Sequence, residues 1–226
     1  MSAAAVLHPP ARDPARVFRE PVLENGDHLT RDEFERRYHR MPGVKKAELI
    51  EGIVFMPSPA RHTRHSKPHI LLAGWVTAYI AANPHADAAD NGTLRLDTDN
   101  EYQPDLVLFK SGTPDAQAAV SADDYLEGAP ELVIEVSASS ASYDLHAKKN
   151  CYRRNGVREY LVWVTEEERL VWWQLSEGEY VELPTEPDGL IKSRVFPGLW
   201  LHVPDLLRGD MKTVLAALQE GMTARA

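Results

Sequence analysis

The sequence predicts a mixed α/β fold in which a central sheet is flanked by helices and extended by β-hairpins. Three short runs, at 105–109, 130–136 and 159–164, are almost entirely apolar, which is typical of strands buried on both faces. Helical spacing between the second and third runs, over 142–155, makes a strand–helix–strand crossover. Shorter runs separated by turn residues predict the hairpins.

Length and composition indicate one folded domain. The chain has 226 residues, of which 43% are hydrophobic, and this is enough for a single core. Residues 1–28 contain several prolines and no periodicity, so we expect a flexible or loosely docked N-terminal arm. Residues 29–226 contain neither repeats nor a Pro- or Gly-rich linker, and are predicted to form a single domain. The lone cysteine, Cys151, excludes an internal disulfide and offers no zinc cluster.

Charge and hydropathy narrow the environment and the partners. The N-terminus lacks a signal peptide, and the longest apolar stretch, 70–82, is too short to span a bilayer. We therefore expect a cytoplasmic protein without membrane contact. The formal net charge of −9 argues against a general nucleic-acid coat but is compatible with a local basic groove.

The first half of the chain gives clear start and stop signals. Residues 30–33, Thr-Arg-Asp-Glu, form a capping box for a helix over 31–40. Residues 48–56 predict a hairpin that turns at a Glu-Gly pair. A second helix begins near Ser66, carries an apolar stripe that predicts core packing, and ends at an Asn-Pro pair.

The later elements follow in order. They are a half-exposed strand at 93–97, a long loop at 110–128 bordering the cleft, a hairpin at 169–183, a strand pair at 194–203 bent at a Pro-Gly pair, and a helix at 211–220. Trp172 and Trp173 in the hairpin point to opposite faces, so one of them is expected to be exposed.

Two carboxylates interrupt the apolar strands. Asp105 opens the first run and Glu135 nearly closes the second. A buried carboxylate is costly unless it is paired or binds a cation, and two on neighbouring strands suggest a divalent-metal site with oxygen ligands. The alternative is that Asp105 lies at a strand mouth and Glu135 pairs with a nearby Arg or Lys.

The crossover helix presents a polar face to these carboxylates. Asp144, Lys148 and Tyr152 lie at i, i+4 and i+8 on one face. The crossover would lay Lys148 over the sheet, whereas Lys149 would point about 100° away and is the second choice. Asp144 and Tyr152 are expected to act as positioning residues, with helix capping and core packing as their alternatives.

Five motifs in order carry a family resemblance. They are Glu-Leu-Ile-x-Gly at 48–52, Pro-Asp at 104–105, Pro-Glu-Leu-Val-Ile-Glu-Val-x-Ala-Ser at 130–139, Asp-x3-Lys-x3-Tyr at 144–152 and Gly-Val-x-Glu-Tyr at 156–160. Together they resemble the Uma-two family, restriction-endonuclease-like proteins of the PD-(D/E)xK nuclease superfamily, over roughly residues 29–207. The resemblance implies a restriction-endonuclease-like core.

The resemblance also implies a chemistry. It is a Mg²⁺- or Mn²⁺-dependent endonuclease that hydrolyses phosphodiester bonds in DNA, with Asp105 and Glu135 as metal ligands and Glu48 completing the site directly or through water. For Glu48 the alternative is an ordinary salt bridge of its strand. Ser137 occupies the position two after Glu135 where the superfamily's simplest pattern has a lysine. The resemblance moves that lysine to Lys148 on the following helix.

A basic run at 61–69 precedes the second helix and has two interpretations. Its cations and imidazoles invite a phosphate-binding role, and a solvated loop with a first helical turn is the alternative. His65 matches a histidine that the family often has here, so contact with a metal ligand or phosphate is expected.

A second class of function stays open. A nuclease-fold protein that binds nucleic acid or a protein partner without cutting would suit the acidic charge and the lysine missing at Ser137. RNA cleavage also stays open. The resemblance implies a homodimer, and nothing in the sequence is a DNA-reading motif.

Overall fold

The structure is a computed structural model that describes residues 21–57, 61–138 and 140–224. Within these residues, two six-stranded mixed sheets are flanked by helices, which confirms the predicted fold class. The strands are β1 (Glu48–Ile50), β2 (Ile53–Phe55), β3 (Ala86–Asp90), β4 (Leu94–Asp97), β5 (Asn100–Tyr102), β6 (Leu106–Lys110), β7 (Ala118–Val120), β8 (Leu126–Gly128), β9 (Leu132–Ser137), β10 (Glu159–Val164), β11 (Arg169–Ser176), β12 (Glu179–Glu182), β13 (Leu190–Lys192) and β14 (Trp200–His202).

The helices lie mostly on the faces of the second sheet. They are α1 (Arg31–Tyr38), α2 (Lys67–Ala81), α3 (Lys149–Arg154), α4 (Val203–Arg208) and α5 (Met211–Ala224). Two π-helical turns, His62–Ser66 and Tyr143–Lys148, lead directly into α2 and α3. A 3₁₀ turn, Thr165–Glu167, follows β10.

The strand orders are β2-β1-β5-β4-β8-β7 in the first sheet and β12-β11-β10-β9-β6-β3 in the second. Strands β9 and β10 run parallel, and the second π turn with α3 connects them. This is the predicted strand–helix–strand crossover. A small third sheet, β13-β14, lies beside α5.

Alternation along β9 divides the core. Ile134 and Val136 face a cluster formed with α2, α4 and α5, whereas Val133 faces a second cluster. That second cluster contains Tyr152 from α3 and residues of both six-stranded sheets, so it fills the space between them. A third cluster around Phe34 packs α1 on the first sheet.

The predicted start of the first sheet is confirmed. Thr30 Oγ1 accepts a hydrogen bond from Glu33 N–H at 3.5 Å and caps α1. Strands β1 and β2 form the hairpin, and its turn places Glu51 and Gly52 at φ of 52° and 76°. A Glu-Gly pair suits such a turn because glycine adopts positive φ without strain.

The predicted loop at 110–128 is wrong in part. It contains β7 and β8, which pair with each other, and β8 continues the sheet by pairing with β4. These short strands lack an apolar alternation, so their identity depends on the partner strand. Strand β3 was also not predicted, because its sequence of Ala and Asp residues has low β propensity.

Two further expectations were wrong. Trp172 and Trp173 are both buried, because helices cover one face of the second sheet and the first sheet covers the other. Trp172 meets the ring of Trp75 edge-on at 5.8 Å. The predicted strand pair at 194–203 is instead β13 with β14, which lie on either side of the loop at 193–199.

The N-terminal segment is described from residue 21. Leu23 is buried beside Phe34, and His28 forms a β-bridge with Ile53. Residues 1–20, most of the predicted arm, lie outside the described residues. Over the described ranges, no helix is long and apolar enough to cross a membrane.

Candidate active site

Four charged side chains meet inside the protein, beside the tyrosine-rich core between the sheets. They are Glu48 of β1, Asp105 immediately before β6, Glu135 of β9 and Lys148 at the end of the second π turn, and none is more than 4% exposed. Glu135 reaches this place because it lies on the face of β9 opposite Ile134.

Lys148 is the centre of the group. Its Nζ donates to Glu135 Oε1 at 3.0 Å and lies 3.1 Å and 3.2 Å from the two carboxylate oxygens of Glu48. Asp144 Oδ1 is 3.4 Å away on the same turn. One ammonium group is thus shared by three buried carboxylates, which is the helix-face arrangement that the spacing predicted.

Asp105 is oriented by the backbone of β9. Its Oδ2 accepts a 2.7 Å hydrogen bond from Val136 N–H, and its own N–H donates to Glu135 Oε2 at 3.4 Å. His65 Nε2 stands 3.1 Å from Asp105 Oδ1, yet this oxygen is buried and receives no hydrogen bond. His69 Nε2 lies 3.1 Å from the carbonyl oxygen of Asp105.

Asp144 and Tyr152 hold the group from the helix side. Asp144 Oδ2 accepts hydrogen bonds from Ser137 Oγ at 2.7 Å and Ser140 Oγ at 2.6 Å. Tyr152 Oη donates to Glu135 Oε1 at 3.2 Å. Both side chains are buried and contact the acid–lysine group, and their role as positioning residues stays a prediction.

Three contacts at the site were not predicted from the sequence. Ser137, at the position where the simplest motif has lysine, supports Asp144 instead. Gln103 N–H donates to Glu48 Oε1 at 2.9 Å, and His69 was not separated from the basic run. Lys149 points away from the site, with Nζ 3.9 Å above the ring of Trp173.

Burial and mutual charge control protonation in the group. Burial raises the pKa of Glu135 to about 8, Lys148 opposes this rise, and the other carboxylates reinforce it. Burial lowers the pKa of Lys148, but its three carboxylates outweigh burial and hold the pKa well above its usual value. Burial also raises the pKa of Asp105, and His65, Lys46 and Val136 N–H together lower it below the usual value. At neutral pH the group holds an ammonium beside an ionised Asp105.

The carboxylates suit a hard divalent cation. Asp105 Oδ1 is buried without a hydrogen bond, and Glu135 Oε2 has only the 3.4 Å contact. Magnesium commonly takes one or two protein carboxylates together with water and substrate oxygens. In the described segments, no group of three or more His, Cys, Asp or Glu side chains is arranged to hold a metal ion by itself. Both carboxylate oxygens of Glu48 contact Lys148, and the role of Glu48 as a metal ligand stays a prediction.

Comparison with known proteins shows the family of the chain. The Uma2 family model, described as "Putative restriction endonuclease", matches residues 31–204. The chain belongs to the Uma2 family. Among solved structures, a "putative nuclease belonging to DUF820" from Anabaena variabilis is similar, with a TM-score of 0.59 and 17% identity over 76% of this chain and 96% of that chain. No curated protein sequence matches the chain.

The two matches agree with each other. The Uma2 match confirms the family resemblance, and the structural likeness, at 17% identity, shows the fold. Family and fold together indicate a nuclease of the restriction-endonuclease type.

Proposed function

We propose that this Uma2 protein is an endonuclease that hydrolyses phosphodiester bonds in DNA with Mg²⁺ or Mn²⁺ at Asp105 and Glu135. The observation that carries the proposal is the contact of Lys148 Nζ with Glu135 at 3.0 Å. The motif lacks a lysine at Ser137, and the helix supplies an ammonium to the same carboxylate. An acid pair with an adjacent buried ammonium is the set that this reaction needs.

Each side chain has a separate task in this proposal. A bound metal ion would neutralise charge on the phosphoryl oxygens and lower the pKa of a water molecule. Lys148 orients the attacking water or donates to the developing negative charge on the phosphate. Glu48 and Asp144 keep the ammonium in place, and Tyr152 fixes the carboxylate of Glu135. Val136 N–H fixes the carboxylate of Asp105.

The second candidate is a protein of the same fold that binds nucleic acid or a protein partner without cutting. Burial of the four charged side chains, none more than 4% exposed, favours it because a phosphodiester must reach them. The net charge of −9 favours it as well. Both candidates involve the same residues, so only a measurement of DNA cleavage separates them.

The test is cleavage of plasmid and single-stranded DNA with Mg²⁺ or Mn²⁺. Asp105→Asn keeps an acceptor for Val136 N–H but removes the charge, and Lys148→Met removes the ammonium. We expect each to lower the rate at least about 100-fold, the size typical of lost electrostatic stabilisation. Lys149→Met is the matched control and should cut like the wild type, because its ammonium lies over Trp173.

The outcomes separate the two candidates. Cutting that persists in Asp105→Asn would show that the activity belongs to another site or another protein. Absence of cutting in every form, together with calorimetric Mn²⁺ binding that needs Asp105, would favour the non-cutting binder. The family resemblance further supports a homodimer, which sedimentation equilibrium at micromolar concentration would test.

A further inference from the structure

A cavity of about 260 Å³ lies beside the candidate active site. Its wall includes Arg64 and Lys67 at the start of α2, Trp163 and Thr165 at the end of β10, and Arg208 at the end of α4. These cationic residues come from two separate segments that converge only in the fold. The basic run at 61–69 is therefore divided between the active site and this cavity.

The cavity and the active site both lie at the ends of β9 and β10, but on opposite faces of the second sheet. Trp163 belongs to the core cluster under α2, α4 and α5, whereas Glu135 points to the other face. Trp163 pairs with Val136, whose N–H binds Asp105. Adjacent strands are about 4.8 Å apart, so the cavity wall begins roughly one strand spacing from the backbone that orients Asp105. Two consecutive residues of one π turn contact the active site and the cavity: His65 lies beside Asp105, and Arg64 lines the cavity.

The cavity carries a positive charge in an acidic protein. Lys67 is exposed and forms no ion pair with any described residue. Arg64 pairs with Glu166 and Arg208 pairs with Asp205, but more than half of each arginine side chain is exposed. Three cations and a single carboxylate, that of Glu168, line the cavity, whereas the whole chain has a net charge of −9.

The position of this turn is held firmly. Thr165 Oγ1 donates to the carbonyl oxygen of Arg64 at 2.8 Å and lies 3.3 Å from that of Ser137. The hydroxyl thus connects the turn, the end of β9 and the end of β10. Lys67 and Arg64 are therefore presented at a set distance from the acid–lysine group.

We propose that this cavity binds a backbone phosphate of the nucleic acid close to the bond that is cut. This inference rests on the proposed function, because it assigns the path of the same substrate. Lys67 is the principal contact, and Arg64 and Arg208 complete the cationic wall.

The test compares Lys67→Gln with Lys212→Gln, which removes an exposed lysine from α5 outside the cavity. Binding of a fluorescent oligonucleotide is measured in EDTA, by anisotropy, from 50 to 200 mM salt. We expect Lys67→Gln to weaken binding about tenfold and to reduce the slope of log K against log salt by about one, the value for one lost phosphate contact. Lys212→Gln should leave both unchanged.

A cleavage measurement distinguishes this inference from the proposed function. With Mn²⁺ present, Lys67→Gln should raise KM for the oligonucleotide by about the factor that it weakens binding. Lys212→Gln should keep both that KM and the hydrolysis of bis(p-nitrophenyl) phosphate, which has only one phosphate, at the wild-type values. Equal salt slopes for the Lys67 and Lys212 variants would overturn the cavity assignment even if cleavage is normal. A wild type that binds the oligonucleotide with the expected slope but cuts neither substrate would overturn the nuclease and leave the phosphate contact standing.

Discussion

Lys148 determines the electrostatics of the acidic group. Its ammonium lies within 3.4 Å of three buried carboxylates, and its single positive charge can balance the charge of only one of them. Burial raises the pKa of Glu135 to about 8, and the neighbouring carboxylates reinforce the rise, so a proton on Glu135 relieves part of the excess negative charge. A cation bound at Asp105 and Glu135 would relieve the same excess.

A second buried carboxylate, Glu159, works outside the active site. It begins β10 and accepts hydrogen bonds from Arg194 N–H at 2.6 Å, Val195 N–H at 3.2 Å and Ser193 Oγ at 2.8 Å. It therefore anchors the loop between β13 and β14. Burial raises the pKa of Glu159 to about 7, and these hydrogen bonds only partly oppose the rise.

Glu159→Gln should change how stability depends on pH. Between its ordinary pKa of 4.5 and the folded-state value of about 7, the native protein holds a proton that the unfolded chain releases, so the contribution of Glu159 falls as pH rises. Glutamine mimics the protonated form. The variant should match the wild type near pH 4.5 and exceed it at pH 8 by up to about 3 kcal/mol.

Urea unfolding at both pH values measures this difference. The control is Glu182→Gln, which neutralises an exposed carboxylate on β12 and should give the same difference at both pH values. A Glu159 variant that is less stable than the wild type at pH 8 would contradict the raised pKa.

At the scale of elements, two π turns present the functional side chains. The turn at His62–Ser66 places His65 at Asp105, and the turn at Tyr143–Lys148 places Lys148 at Glu135. A π turn winds less tightly than an α-helix and often occurs at functional sites. Each turn leads directly into a regular helix that packs on the sheet, so the wide turn is held by the core beneath it.

The β7–β8 hairpin depends on one glycine. Gly128 has φ of +92°, and a Cβ there would lie 2.4 Å from the backbone oxygen of Gln117. Gly178, in the β11–β12 turn, has φ of +83° with open space around it. Substitution of Gly178 therefore measures the energetic cost of the positive φ alone, without the cost of a clash.

Gly128→Ala should destabilise the protein more than Gly178→Ala. The positive φ alone costs about 1 kcal/mol, and the backbone clash should raise the total for Gly128→Ala to about 3 kcal/mol. Thermal unfolding of the two variants beside the wild type measures the difference. Equal losses of stability in the two variants would mean that the backbone near Gly128 shifts to accommodate the Cβ without energetic cost.

At the scale of the whole molecule, the second sheet links the main cores. Val133 and Ile134 are neighbours on β9, and they point into different clusters. The acid–lysine group lies where the second sheet meets the first, so it needs both sheets in place. From this we propose that residues 29–226 fold as one domain.

Val133→Ala and Ile134→Ala should lower the midpoint of the same unfolding transition. Each truncation removes buried methyl groups, with an expected loss of about 1–4 kcal/mol. Far-UV circular dichroism and tryptophan fluorescence followed in urea should coincide in both variants. Two separated transitions, of which Val133→Ala shifts only one, would contradict a single cooperative domain.

Local sequence patterns were sufficient to predict the strands that are buried on both faces and the crossover helix with its polar face. These follow from local spacing, as with Asp144, Lys148 and Tyr152 on one helix face. The hairpin at β1 and β2 and the capped start of α1 follow from local turn and cap chemistry.

Only the tertiary structure decided which distant groups meet. Strands β3, β7 and β8 have no apolar pattern of their own and exist because β6 and β4 offer them open edges. The contacts of Glu48 with Lys148, and of Arg208 with the cavity wall, join residues far apart in the chain. No spacing rule reports such distances, because they are set by how two sheets and their helices pack.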